Sequence, residues 1–234
     1  GALMQQLPLG VRLRERATFD IFVVSPPNLE AVGRVREVVQ RGGVVWLWGT
    51  EGCGRSHLLQ AVCAAAPAEM RAGYLPFAEL APAGVPALAA LEGAGALDLL
   101  CLDDLDAAIG EREFEIALFG VYRALEERRG GIVVGASAPP TSLAWALADI
   151  GSRFGAAEVF QLRPLDEPGQ AEALQRRAAA RGLELPEETV RWLLRRFPRD
   201  MTQLGRLLDR IDEASLRERR RVTVPFVRTI LGEP

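Results

Sequence analysis

The chain has 234 residues, 49% of them hydrophobic and 25% charged, which is enough to bury a substantial core and excludes a disordered polypeptide. A net charge of −3 argues against a protein whose main task is coating duplex DNA, because affinity for phosphates rests on surplus positive charge. All 28 Lys+Arg positions are arginine and there is 1 histidine, so lysine Schiff-base chemistry, a His-rich metal cluster and steps needing two imidazoles are excluded.

The 3 cysteines (Cys53, Cys63 and Cys101) make no disulfide framework and predict a reducing, cytoplasmic setting. Apolar runs such as Leu97 to Leu102 fall far short of the roughly 20 residues a bilayer span needs, and the start reads as no secretion signal. No membrane association is expected.

In chain order, residues 1–15 read as a flexible tail. From there to residue 162, short apolar runs alternate with longer helical patterns, the signature of a parallel sheet with crossover helices. Strands are predicted over 44–48, 73–77, 97–102, 132–136 and 158–162, apolar almost throughout as in strands covered on both faces. Helices are predicted over 28–41, 55–66, 86–92, 112–129 and 141–154, and 78–96 reads as a loosely specified connection. After Arg163-Pro164-Leu165 the pattern is helical only, with helices predicted over 167–181, 187–197, 201–217 and 224–231. The expectation is a base over 16–162 followed by a small all-α domain over 163–234.

Gly49-Thr50-Glu51-Gly52-Cys53-Gly54-Arg55-Ser56 lies between a strand ending at Trp48 and a helix containing His57. It has the spacing of the phosphate-binding P-loop G-x-x-x-x-G-K-[ST], with Arg in place of Lys. Glycines let the backbone curl so that successive N–H groups converge on phosphate oxygens, and the helix start adds the positive end of its dipole. Ser56 offers a hydroxyl to Mg²⁺. The competing reading is a degenerate loop kept only as a tight turn. The planar fork of Arg55 suits holding a diphosphate better than transferring a γ-phosphoryl group. His57 is counted with the loop, its plainer reading being a helix residue near the sheet edge.

A second phosphate-site element is a buried strand ending in acids, and Leu99-Leu100-Cys101-Leu102-Asp103-Asp104 has that form. Asp103 is placed to hold Mg²⁺ through water, as in a Walker-B strand; the alternative is a helix cap. Hydrolytic members of this class usually carry Glu at the next position. Asp104 is one methylene shorter, so weak self-hydrolysis is expected.

With a P-loop, an Asp-Asp strand, a fifth strand and an all-α lid, the chain resembles an AAA+ module of the initiator clade. Leu47-Trp48, Glu51-Gly52, Gly54-Arg55-Ser56-His57-Leu58-Leu59, Pro139-Pro140, Ser152-Arg153, Leu162 with Pro164-Leu165, Leu183-Glu184-Leu185-Pro186-Glu187 and Thr223-Val224-Pro225-Phe226-Val227 together resemble the Hda family. Its members are DnaA-related regulatory inactivators of the replication initiator DnaA.

The resemblance implies an α/β AAA+ base with a five-stranded parallel sheet, a small all-α lid, and ADP or ATP with Mg²⁺ as cofactors. It implies DnaA and the DNA polymerase III sliding clamp (beta subunit) as partners. In this family the nucleotide-bound protein, docked on the clamp, stimulates hydrolysis of the ATP held by DnaA. Gln6-Leu7-Pro8-Leu9 resembles the family's clamp-binding peptide, with Leu7 and Leu9 as apolar anchors and Gln6 at the pocket rim. Arg153 falls where the family has its arginine finger, a fixed charge for a neighbouring γ-phosphoryl group; the alternative is a surface ion pair at a helix end. Ser137 stands at the γ-phosphate-sensing position. Phe22 and Val23 fall in the segment that wraps adenine, and Thr202 appears where the lid usually offers an Arg.

No duplex-reading domain is expected after the lid, so sequence-specific DNA binding is not. Arg217-Glu218-Arg219-Arg220-Arg221 reads as a solvated helix end or as a contact for DNA threaded through the clamp. Self-association as a homodimer, using the same arginine, is expected to compete with DnaA. Two other readings stand beside the adaptor: a self-hydrolysing ATPase such as a DnaC-like helicase loader, and a clamp-binding scaffold with a dead nucleotide pocket. Arg55, Asp104 and Thr202 argue against the first.

Overall fold

Glycine pairs at 42–43 and 130–131 open two apolar runs, and these become neighbouring strands of one sheet. The computed structural model describes residues 17–198, 200–215 and 221–234. The tail with Gln6, Leu7 and Leu9, and Arg217, Arg219 and Arg220 of the basic cluster, lie outside the described residues. In chain order the elements are α1 (Leu29–Arg41), β1 (Gly43–Trp48), α2 (Arg55–Ala65), β2 (Ala72–Pro76), the one-turn helices α3 (Phe77–Leu80) and α4 (Ala87–Ala90), β3 (Leu99–Asp103), α5 (Arg112–Glu127), β4 (Gly131–Ala136), α6 (Ala148–Gly155) and β5 (Glu158–Gln161). They are followed by α7 (Glu167–Ala180), α8 (Glu187–Arg196), α9 (Met201–Ala214) and α10 (Val224–Leu231).

The five strands form one parallel sheet in the order β2-β3-β4-β1-β5, the five-stranded architecture expected from the sequence. Its register runs from Gly43 opposite Gly131 to Trp48 opposite Ala136. The loops after β1, β3 and β4 therefore leave from one edge, the carboxyl end where open α/β sheets collect their ligands. Trp46, Leu100, Leu102 and Val134 face one core and are fully buried, and the alternating residues Val45, Leu47, Leu99, Cys101 and Val133 are too. Both faces are covered, which is why these runs read as continuously apolar. The edge strand β5 differs: Glu158, Val159 and Gln161 are exposed.

Four rings fix α6 to this base. Phe154 is fully buried, with its ring 5.5 Å from Trp46, 5.3 Å from Tyr122 and 5.6 Å from Trp145. The helix predicted over 141–154 is shorter than the pattern suggested. A 3-10 turn at Pro140–Ser142 comes first, and α6 begins only at Ala148. The reason is the buried carboxylate of Glu115, which accepts the amides of Ala146 and Leu147 at 2.9 Å and of Gly110 at 2.8 Å. Those amides are satisfied by a side chain instead of a helical turn.

The chain divides into two compact units, one containing Pro26–Arg163 and the other Pro164–Pro234 together with Asp20–Ser25. In the second unit Leu174, Leu193, Leu204, Leu208, Ile211 and Val227 form a core that also takes in Val23. Its helix starts are capped: Asp166 accepts from the Gly169 amide at 2.8 Å and Asp200 from Gln203 at 2.9 Å. Among the described residues no helix is long and apolar enough to cross a membrane.

Candidate functional site

The loop between β1 and α2 needs glycine at three places. Gly52 and Gly54 have φ of 82° and 102°, where a side chain is strained. A Cβ on Gly49 would lie 2.7 Å from the Leu162 carbonyl and 2.8 Å from Cys53 Sγ. Thr50 and Glu51 are exposed at the turn, whereas Cys53 is buried and burial pushes its thiol up, so it packs as an apolar group. Ser56 and His57 follow in the first turn of α2, whose amides a helix leaves without internal partners. His57 contacts the Thr18 carbonyl through a ring nitrogen at 2.7 Å. This curled, glycine-dependent backbone at a helix start fits a phosphate group.

Arg55 turns back into the fold. Its guanidinium donates to the carbonyls of Gly49, at 2.9 Å, and of Ala136, and lies 3.5 Å from Asp104. It thereby ties the loop to the ends of β3 and β4, and its side chain is 12% exposed.

Asp103 ends β3, 1% exposed. One of its oxygens accepts the Tyr74 hydroxyl at 2.5 Å and the other the Asp104 amide at 3.0 Å. Gln60 donates to the same hydroxyl at 3.4 Å. Burial, with the Asp103 carboxylate beside it, holds the Tyr74 hydroxyl far above its ordinary range, so it remains a donor. Sequence reasoning missed Tyr74; its position in an apolar strand gives no local sign that it faces an acid 29 residues away.

Asp104 follows in left-handed backbone, φ 52°. Burial, then repulsion from Asp103, pushes its carboxyl up to about 6 despite the opposing pull of Arg55. At the end of β4, Ser137 donates its hydroxyl to Asp106. Gly49 to His57, Asp103, Asp104 and Ser137 thus gather at the carboxyl edge of the sheet.

The remaining sequence-predicted residues belong to other elements. Val23 packs in the core of the helical unit, and the Phe22 carbonyl accepts from Arg176 at 3.0 Å. Thr202 is half-buried in the first turn of α9. Arg153, on α6, reaches Glu126 at 3.1 Å and lies 5.7 Å from the Phe119 ring and 6.0 Å from that of Tyr122, with 44% of its side chain exposed. It lines a groove of about 890 Å³ together with Gly43 and Val44 at the start of β1, Ile132 near the start of β4 and Glu158 at the start of β5. The P-loop follows the other end of β1. At about 3.3 Å per residue, the six-residue strand separates the two by roughly 16 Å or more.

Comparison with known proteins bears on the fold and the family. Residues 13–160 match the bacterial DnaA ATPase domain family and residues 167–231 match the Hda lid domain. Domain III of the Thermotoga maritima replication initiation protein DnaA has the same fold at a TM-score of 0.76 and 23% identity, covering 95% of this chain and 98% of that one. AMPPCP-bound DnaA from Aquifex aeolicus gives 0.65 at 24% identity, over 79% of this chain and 61% of that one. The Thermotoga maritima RuvB Holliday junction branch migration motor gives 0.60 at 16%, over 92% and 71%. These three likenesses are of fold; the family matches carry the relationship, and by them the chain belongs to the bacterial DnaA ATPase domain family, as a DnaA-related AAA+ replication regulator with an Hda-type lid.

Proposed function

We propose that the chain holds a nucleotide, ADP in its working state, docks on the DNA-loaded sliding clamp and stimulates hydrolysis of the ATP held by DnaA through Arg153. The observation that carries this reading is the separation of Arg153 from the chain's own P-loop by the length of β1. An arginine at the amino edge of the sheet is remote from its own phosphates and available to those of another subunit. Its half-exposed guanidinium, steadied by Glu126 and by two rings, is a permanent charge that can move onto a developing γ-phosphoryl charge.

The backbone from Gly49 to Gly54 and the first-turn amides at Arg55, Ser56 and His57 would hold the phosphates, and Asp103 and the Ser56 hydroxyl would face Mg²⁺, a cation that favours oxygen ligands. Mg²⁺, when bound, neutralises phosphate charge. Arg55 braces the loop instead of pointing outward as a mobile cation, which favours retention of a diphosphate over turnover. The DnaA-type fold, one example of which is AMPPCP-bound, supports nucleotide binding here. Gln6, Leu7 and Leu9 are proposed as the clamp anchor, Ser137 as the γ-phosphate sensor, and Phe22 and Val23 as the adenine-side segment.

The test is the rate of ATP loss from ATP-loaded DnaA with loaded clamp and this chain. Acceleration should disappear in Arg153→Ala and weaken in Leu7→Ala. Strong ATP turnover by this chain alone would instead favour a self-hydrolysing ATPase.

A further inference from the structure

Six charged side chains line the groove that holds Arg153: Arg41, Glu126, Arg129, Asp149, Arg153 and Glu158. Five have an evident partner or setting. Arg153 pairs with Glu126 at 3.1 Å, Arg41 with Glu37 at 2.5 Å and Glu158 with Arg34 at 2.8 Å. Asp149 stands in the first turn of α6, where the helix dipole favours a negative charge.

Arg129 is the exception: among the described residues its side chain has no hydrogen bond or ion pair. Its neighbour Arg128, by contrast, is tied into the fold, donating to the carbonyls of Gly95 at 2.6 Å and of Leu97.

The backbone of Arg129 is also unusual. Its φ of 55° lies in the left-handed region, which costs a residue with a β-carbon about 1 kcal/mol or more. The turn is held rigidly: the Arg129 amide donates to the Glu126 carbonyl at 3.0 Å, and a Cβ on Gly42 would lie 2.3 Å from the Arg129 carbonyl. An exposed cation therefore leaves a fixed, strained turn, lining the same groove as Arg153, with nothing among the described residues to neutralise it.

We infer that Arg129 is a docking arginine, which pairs with a carboxylate at the rim of the nucleotide site on the ATP-bearing partner and supplies affinity rather than chemistry. This rests on the reading of Arg153 as acting on another subunit. The phosphate edge of this chain carries Glu51, Asp104 and Asp106, and Glu51 is exposed. A partner of the same family that keeps these acids would bring its ATP on such an acidic rim. When Arg153 moves to the γ-phosphate it releases Glu126, and the groove turns negative just as that rim arrives. Arg129 supplies the opposing charge, and its fixed backbone limits the entropy lost on pairing.

The experiment titrates ATP-loaded DnaA with the intact chain on loaded clamp, reading both binding by fluorescence anisotropy and hydrolysis rate. Arg129→Ala should raise the half-saturating concentration about five- to tenfold, with an unchanged rate at saturation and a smaller difference at high salt. Arg129→Gly, which accepts the left-handed backbone without strain, should lose the same affinity while melting no earlier than the wild type. Arg129→Lys should recover most of it. Unchanged affinity in Arg129→Gly overturns the proposal. So does a lower saturating rate at unchanged affinity, which would put Arg129 in the reaction. If the wild type binds in an Arg129-dependent way but accelerates nothing, the reading of Arg153 fails and docking stands; if it neither binds nor accelerates, both fail.

Discussion

Arg55 braces two strand ends and tempers an acid, and each effect can be measured. Its guanidinium bonds to the Gly49 and Ala136 carbonyls, so Arg55→Ala should lower stability by about 1–3 kcal/mol, read as a shift in the urea midpoint. It also pulls the Asp104 carboxyl down against burial and Asp103. In an NMR titration Asp104 should show a midpoint near 6, and Arg55→Ala should move it higher; a midpoint that falls would contradict the assignment. The sign for stability follows: between the ordinary 3.8 and about 6 the folded state binds more protons at Asp104 than the unfolded chain does. This group therefore stabilises the fold fully below that window, and its contribution is lost as pH rises through it. At this scale the sequence was legible where chemistry is local. Glycine spacing announced the loop and paired acids announced the strand end. The inward turn of Arg55 and the Tyr74–Asp103 bond were not legible, because both depend on residues 29 or more positions away.

At the scale of elements, α6 determines where Arg153 stands, and two distant side chains hold α6. Phe154→Ala empties the ring cluster and should cost about 3–5 kcal/mol, read by chemical denaturation. Glu115→Ala leaves the amides of Gly110, Ala146 and Leu147 without their acceptor and should cost about 3 kcal/mol or more. Neither side chain bonds to the P-loop, Asp103 or Asp104 through these contacts, so nucleotide affinity at temperatures where the variants remain folded should be nearly unchanged, which calorimetry with ADP would check. These dependencies explain where the sequence-based elements drifted. The runs of β1, β3 and β4 were nearly right because apolar residues covered on both faces leave a strong local signal. The helix predicted over 141–154 was too long because a carboxylate on α5 satisfies the backbone amides that the pattern alone assigns to a helical turn.

For the whole molecule, the base and the helical unit each have a core of their own, and the short segment Asp20–Ser25 clusters with the helical unit although it precedes the base in sequence. No local pattern in those six residues indicates that, since Val23 owes its burial to helices about 150 residues later. Family relationship was legible because its motifs run along both units: the P-loop, Ser152-Arg153, and the strings from Leu183 and Thr223. A chain with Arg in the P-loop and Arg153 a strand's length from that loop should, on the proposed function, hydrolyse ATP slowly by itself. The most direct measurement is single-turnover hydrolysis of ATP-loaded DnaA on loaded clamp, comparing this chain with Arg153→Ala. The proposed role of Arg153 predicts acceleration by the wild type, and a rate equal to that without added protein for Arg153→Ala even when that variant binds normally. Equal acceleration by both would contradict it.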